Sequence, residues 1–258
     1  MTVANFHVQL EQTVRSRHSR AHPFTERWVN GELTRNQLGQ WAIQQWHFIG
    51  NFSQYMAGIY ARCPERDVRD YLLENMWEEE LAATRHSEYL VRFADACGIS
   101  RQRFMATGAL PTTEALADWC RTRAFYDHWL VAAAGLNIGL ESQVVGIMER
   151  VTPPLTEKYG FTNTDIGYFE VHWKTDGMHS ARAYELVSRH ASTPELRLEC
   201  LARVARATEM RWLFTDGIYR TFVTDEEQIS MGSRRYNEAD AAQAPASAGT
   251  ETDELAET

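Results

Sequence analysis

The sequence predicts an all-α protein. Three observations carry that prediction. Apolar residues recur at helical spacing in segment after segment up to about residue 223, residues that start and stop helices stand between those segments, and no run of alternating polarity is long enough for a sheet.

Taken in order, residues 3–20 form a first amphipathic helix, and "HPFTERWVNGELT" follows it. His22 and Pro23 mark a helix start, Asn30 and Gly31 a turn, and Thr34 is placed to cap a long helix through Arg62. Leu38, Trp41, Ile43, Trp46, Phe48, Ile49, Phe52, Tyr55, Met56 and Ile59 are too many apolar residues for one face, so that helix is expected to be buried on most sides. "CPERD" interrupts it, and residues 66–97 resume as helix with Gly98 at the C-terminal cap. A short helix at about 100–106 leads to a long one over 114–152, which Pro153 and Pro154 should stop. "EKYGFTNTDIGYF" connects to a helix over 166–190, and a last helix covers 194–223.

Composition bounds the function. A chain of 258 residues with 44% hydrophobic and 24% charged residues has the balance of a globular protein with one large domain or two small ones. A formal net charge of −9 argues against general binding to nucleic acid or to an anionic membrane. Cys63, Cys97, Cys120 and Cys200 are scattered without a CxxC pair, which reads as reduced core thiols. The N-terminal segment has no continuous apolar stretch of the secretory kind, and no uninterrupted apolar run approaches the ~18 residues of a membrane span, so the cytoplasm is the expected location. Beyond Gly232, "RRYNEADAAQAPASAGTETDELAET" has almost no large apolar residues, and residues 233–258 are expected to be a disordered acidic tail on a helical domain over 1–232. A chain lacking residues 236–258 should therefore keep its turnover and its melting temperature. A loss of several degrees in a thermal scan would show that the segment packs on the body.

The chemistry concentrates in "EVHWKTDGMHSARAYELV". At roughly 100° per residue, His172, Asp176 and His179 fall at about 0°, 40° and −20°, a narrow stripe over two turns. A lone histidine on an apolar helix is more often a hydrogen-bonded core residue than a ligand; three such groups on one stripe make the ligand reading stronger. "ENMWEEELAATRHSEYL" adds Glu79 and His86, seven apart and within about 20° of one face. "AAAGLNIGLESQVVGIM" adds Glu141, a carboxylate among small apolar residues, where a charge is costly unless it is paired or bound to a metal. Three carboxylates and three histidines, with no thiolate, suit iron or manganese better than a structural zinc. Six ligands suit two metals held between helices, although the Glu-x-x-His pairs of ferritin-type bundles are absent. The alternative is a non-catalytic binding protein in which the same residues form a buried polar network.

Glu79 and His86 in "WEEELAATRH", Glu141 in "GLESQV" and the "HWKTDGMH" run resemble the haem-oxygenase-like diiron oxidases and oxygenases, whose pattern is Glu-x6-His, Glu, His-x3-Asp-x2-His. "HPFTERWVNGELT" resembles the opening of that superfamily, and "LESQVVGIMERVTPPLTEKYGFTN" is similar to its para-aminobenzoate synthases. The resemblance covers residues 5–225 and implies a seven-helix bundle of the haem-oxygenase-like type. It also implies two iron ions, with manganese as the alternative, bridged by Glu79 and held by His86, Glu141, His172, Asp176 and His179. The implied activity is O2-dependent oxidation of a small amine or amino-acid-like molecule, by C–C or C–N cleavage or by N-oxygenation, in natural-product biosynthesis.

The departures narrow it. Where the para-aminobenzoate synthases consume a tyrosine and use a lysine, this chain has Thr25 and Val151. Pyrroloquinoline-quinone synthases share the "HPF" start without the six ligands, and no acidic residue lies between Thr34 and Cys63 to act as the seventh ligand of several N-oxygenases. Expected partners are a small-molecule substrate, O2, an external electron donor and a second copy of the chain in a homodimer. Gln44, His47, Tyr168 and Arg182 are the candidate substrate contacts, Tyr55, Tyr126 and Trp173 are further wall candidates, and Glu80, Asn137 and Gln143 are candidates for orienting the ligands.

Overall fold

The computed structural model describes residues 3–224, the side chains of Ala4 and of residues 174–179 excepted. The described residues hold twelve α-helices and no strand. In chain order they are α1 (Val3–Ser16), α2 (Pro23–Asn30), α3 (Arg35–Ile49), α4 (Phe52–Tyr60), α5 (Arg66–Leu81), α6 (His86–Ala96), α7 (Arg101–Ala106), α8 (Pro111–Tyr126), α9 (Trp129–Ala133), α10 (Ser142–Glu157), α11 (Gly167–His190) and α12 (Pro194–Phe222). A π-helical stretch, Ala134–Glu141, joins α9 to α10 without a loop. The expected acidic tail lies outside the described residues.

Local chemistry sets most helix ends. Thr34 caps α3 by accepting from the Gln37 backbone N–H, while the Gln37 side chain accepts from the Thr34 N–H, a reciprocal capping box. His22 caps α2 with its ring Nδ1, and Pro23 follows at the first helical position. Gly98, at φ 86°, ends α6 in the left-handed conformation, with Ile99 N–H returning to the Ala94 carbonyl at 2.9 Å.

Tertiary contacts override the sequence at three places, which is why there are more segments than seven. The long helix expected over 34–62 breaks at Gly50 and Asn51, whereas Gly39 and Gly58, equally poor helix formers, stay within α3 and α4. The helix expected over 66–97 opens at residues 82–85, which contain neither Gly nor Pro. The helix expected over 114–152 breaks after Tyr126, turns π-helical at residue 134, and then runs through Pro153 and Pro154 to Glu157. Packing offsets the proline penalty there: Leu155 and Phe161 are fully or almost fully buried, and the Tyr159 hydroxyl donates to the Trp28 carbonyl at 3.0 Å.

The core is one aromatic-rich cluster. Trp28, Trp41, Phe93 and Phe169 meet in stacked and edge-on pairs between α2, α3, α6 and α11. By length and composition the continuous rod Trp129–Glu157 could cross a membrane, but 78% of its most apolar window is buried within the bundle. It lies against α12 closely enough that a Cβ on Gly139 would sit 2.4 Å from the Ala207 Cβ and 3.1 Å from the Val204 carbonyl oxygen. Backbone cannot move aside cheaply. Gly139→Ala should therefore cost about 1–3 kcal/mol, read as a lower denaturation midpoint. An unchanged midpoint would mean that α12 yields.

Candidate metal centre

Three stretches of irregular or ligand-rich helix converge on one cavity. In an unbroken helix, residues seven apart are separated by about 10.5 Å along the axis. Because the chain opens at residues 82–85, Glu79 at the end of α5 and His86 at the start of α6 are instead in contact, with His86 Nδ1 3.0 Å from Glu79 Oε1. α11 brings His172 beside them, its ring centroid 4.7 Å from that of His86. One ligand atom from each of Glu79, His86 and His172 lies within 4.8 Å of the others. The π-helical stretch supplies Glu141, buried in the wall of the same cavity. Such stretches are rare and concentrate at functional sites, because the extra residue per turn re-aims a side chain.

His172 is held in a state ready for a metal, whereas Glu141 must first ionise. His172 Nδ1 lies 2.7 Å from the Tyr168 carbonyl, an acceptor only, so this nitrogen carries the proton and Nε2 keeps its lone pair. Burial pushes the His172 imidazole down to about 4, so the ring is neutral at neutral pH. Burial pushes Glu141 up to about 8; its hydrogen bond from Asn137 acts the other way, and the nearby charges of Glu79 and Glu78 raise it again. Asn137 Nδ2 donates to Glu141 Oε2 at 2.8 Å and fixes that carboxyl instead of a histidine ring.

The cavity has a volume of about 40 Å³. Phe48, Ile49, Phe52 and Val144 form its apolar wall, and Gln45, Asn75, Glu78, Tyr168 and Arg211 are its further polar lining. Of the substrate candidates, Tyr168 is in place, its hydroxyl accepting from Gln45 Nε2 at 3.1 Å. The other three are elsewhere. Gln44 Oε1 accepts from the Leu110 N–H and the Thr113 hydroxyl, both at 2.8 Å, and its Nε2 donates to the Gly108 carbonyl. His47 Nε2 meets the Thr107 carbonyl at 2.8 Å, so both residues pin the 107–113 segment instead of facing the cavity. Arg182 pairs with Glu74 at the surface and lies over the Tyr71 ring.

Tyr55, Tyr126 and Trp173 are absent from the cavity wall, and Tyr126 is 83% exposed. Gln143 bridges the Gly139 carbonyl and the Ser19 N–H, and Glu80 accepts from the Ser53 hydroxyl; among the described residues neither bonds to His86 or His172. The backbone of α11 carries Asp176 and His179, whose side chains lie outside the described residues. Arg211, Asn75 and Gln45 were not singled out in the sequence. Arg211 is one of several arginines on α12, and only the packing of that helix shows which one turns inward.

A second acidic and histidine group, Glu65, Asp67 and His190, joins the start of α5 to the end of α11. Asp67 also accepts from Arg189 at 2.9 Å, which makes this group an ion-pair clamp at the rim of the bundle.

The all-α bundle and its buried carboxylate–histidine cluster could hold a metal, and comparison with known proteins gives the class. The chain belongs to the haem-oxygenase-like family of iron-containing redox enzymes, whose sequence profile matches residues 39–212. It is 29% identical over 232 residues to the 4-aminobenzoate synthase of Nitrosomonas europaea, covering 86% of this chain and 94% of that one. It is 25% identical over 240 residues to the pyrroloquinoline-quinone synthase of Acidiphilium cryptum, covering 87% and 94% of the two chains. A TenA homologue from Pseudomonas syringae shares the fold, with a TM-score of 0.72 at 20% identity over 81% of this chain and 91% of its own.

Proposed function

We propose that the chain is a non-haem diiron oxygenase or oxidase acting on a small amine or amino-acid-like substrate. The observation that carries this reading is His172: a neutral imidazole with Nδ1 committed to the Tyr168 carbonyl, beside Glu79 and His86 in a buried cavity. Glu79, His86, Glu141 and His172 would hold the irons, joined by Asp176 and His179 from the same helix as His172. Manganese is the alternative metal on the same donor chemistry. Bound iron would supply O2 activation and electron transfer.

The chain's own residues do the rest. Tyr168 and Asn137 orient their ligands through the 2.7 and 2.8 Å contacts described above. Phe48, Phe52 and Val144 keep water from the reacting face. Glu141 can give up its proton as it becomes a ligand. A cytoplasmic enzyme of natural-product biosynthesis, supplied with electrons by an external donor and assembled as a homodimer, fits this reading.

The 4-aminobenzoate synthase of Nitrosomonas europaea supports a second reading, synthesis of an aminobenzoate. Thr25 and Val151 count against the self-consuming route to it. Both are buried outside the cavity, Thr25 donates to the Ser19 carbonyl at 2.9 Å, and neither supplies a phenol or an amine.

The test is anaerobic loading with Fe(II), removal of free metal, and addition of O2 with a panel of small amines and amino acids. O2 uptake and product masses are then followed. Substrate-dependent O2 consumption with an oxidised or cleaved product is expected. Iron-loaded protein that accelerates O2 consumption with none of them, and yields 4-aminobenzoate from itself, would favour the second reading.

A further inference from the structure

We infer that a second, apolar cavity, walled by α5, α9 and α11 and separated from the metal centre by the Asn137 side chain, is a docking site for dioxygen on its way to that centre. This inference rests on the diiron reading and adds to it a place for the gas.

The cavity has a volume of about 10 Å³. That is room for about one molecule the size of water or a diatomic gas, and too little for an organic substrate. Val68, Leu130, Ala133, Leu186 and Val187 form most of its wall, each 5% exposed or less. No polar atom is exposed on its surface. A buried water makes about three hydrogen bonds to polar groups, whereas a cavity lined by carbon stays dry and takes up apolar guests such as xenon. O2 is a small guest of that apolar kind.

The position of the cavity gives it a use. Asn137 lines it, and Asn137 Nδ2 donates to Glu141 Oε2 at 2.8 Å. Glu141 in turn lines the larger cavity of the metal centre. Asn137 Oδ1 accepts no hydrogen bond among the described residues, so this amide is tethered from its Nδ2 end alone. Tyr71 lines the small cavity on another side, and the surface residue Arg182 lies over its ring at 5.6 Å. The same ring therefore meets both the cavity and the ion pair of Arg182 with Glu74. The larger cavity, about 40 Å³, is where the organic substrate would sit. A separate apolar site keeps O2 within reach of the centre when that space is filled.

The experiment has two readouts on the full chain loaded anaerobically with Fe(II). Crystals pressurised with xenon show whether the cavity takes an apolar guest. Stopped-flow mixing with O2 gives the rate of Fe(II) oxidation. Xenon should appear inside the wall of Val68, Leu130 and Leu186. Val68→Phe and Val187→Phe, which fill the space from two different helices, should exclude xenon and slow oxidation several-fold with iron content unchanged. Val187→Ala, which enlarges the space, should hold more xenon and react faster. A wild-type cavity without xenon, or one holding an ordered water on Asn137 Oδ1 in its place, overturns the inference. So does a filled variant that keeps its iron, excludes xenon and is oxidised at the wild-type rate, because the cavity would then be a passive void. If the filled variants fold poorly, Val187→Ala decides, and an unchanged oxidation rate in it overturns the inference. Wild type that takes up no iron ends the diiron reading and this inference with it, whereas iron-loaded protein with an empty or wet cavity overturns this inference alone.

Discussion

His172→Ala should leave a folded chain that has lost at least one iron and its O2-dependent turnover. The substitution removes a neutral imidazole that stands beside Glu79 and His86, whose Nδ1 is already committed and whose Nε2 keeps the lone pair a metal would use. The structural cost is one buried hydrogen bond and a small void, about 1–3 kcal/mol. Helix content should therefore survive, while metal analysis shows the loss. Asn137→Ala tests the support of the ligand. It frees Glu141 from the 2.8 Å bond that holds it and should weaken metal binding by about 10–100-fold without abolishing it. His190→Ala is the control. It removes a histidine from the other acidic group, at the rim, and should change iron content not at all. Equal iron in the His172→Ala and His190→Ala proteins would mean that the buried cluster is not the metal centre.

Iron uptake should release a proton at neutral pH, and that proton should come from Glu141. Its carboxyl is pushed up to about 8 by burial in the metal-free chain, so it is mostly protonated at pH 7 and must ionise to bind a cation. His172, held near 4, is already neutral and contributes none. Apparent iron affinity should rise about ten-fold per pH unit below 8 and flatten above it. Stability follows with the opposite sign. A carboxyl raised above its unfolded value of 4.5 contributes stability at low pH that is lost as the pH rises through about 8. The depressed His172 contributes stability that is present above 6.5 and lost as the pH falls through about 4. The metal-free protein should thus melt at lower temperature at pH 9 than at pH 7, and iron should remove that difference. Calorimetry in buffers of different ionisation enthalpy counts the protons. Undiminished release from Glu141→Gln would place the proton elsewhere.

Some of this centre was legible in the sequence because local spacing carries it. His172 stands out on a helical stripe with Asp176 and His179, whose side chains lie outside the described residues, and Glu141 stands out as a carboxylate among alanine, glycine and leucine. The helix over 166–190 and the caps at Thr34 and Gly98 follow from the same short-range rules. What packing decides was not legible. Residues 82–85 have ordinary helix propensity, so nothing local announces the opening that lets Glu79 touch His86. Gln44 and His47 sit among aromatics and read as cavity-facing, but the 107–113 segment, distant in sequence, takes their hydrogen bonds. Arg211 differs from its neighbours on α12 only in where that helix turns it.

The central claim, a pair of irons held by these residues, is tested most directly by anaerobic titration of the full chain with Fe(II), with bound metal counted after the excess is removed. The account predicts saturation at two irons per chain in the wild type and at no more than one in His172→Ala. Folded wild-type protein that retains no iron under any anaerobic loading would contradict it.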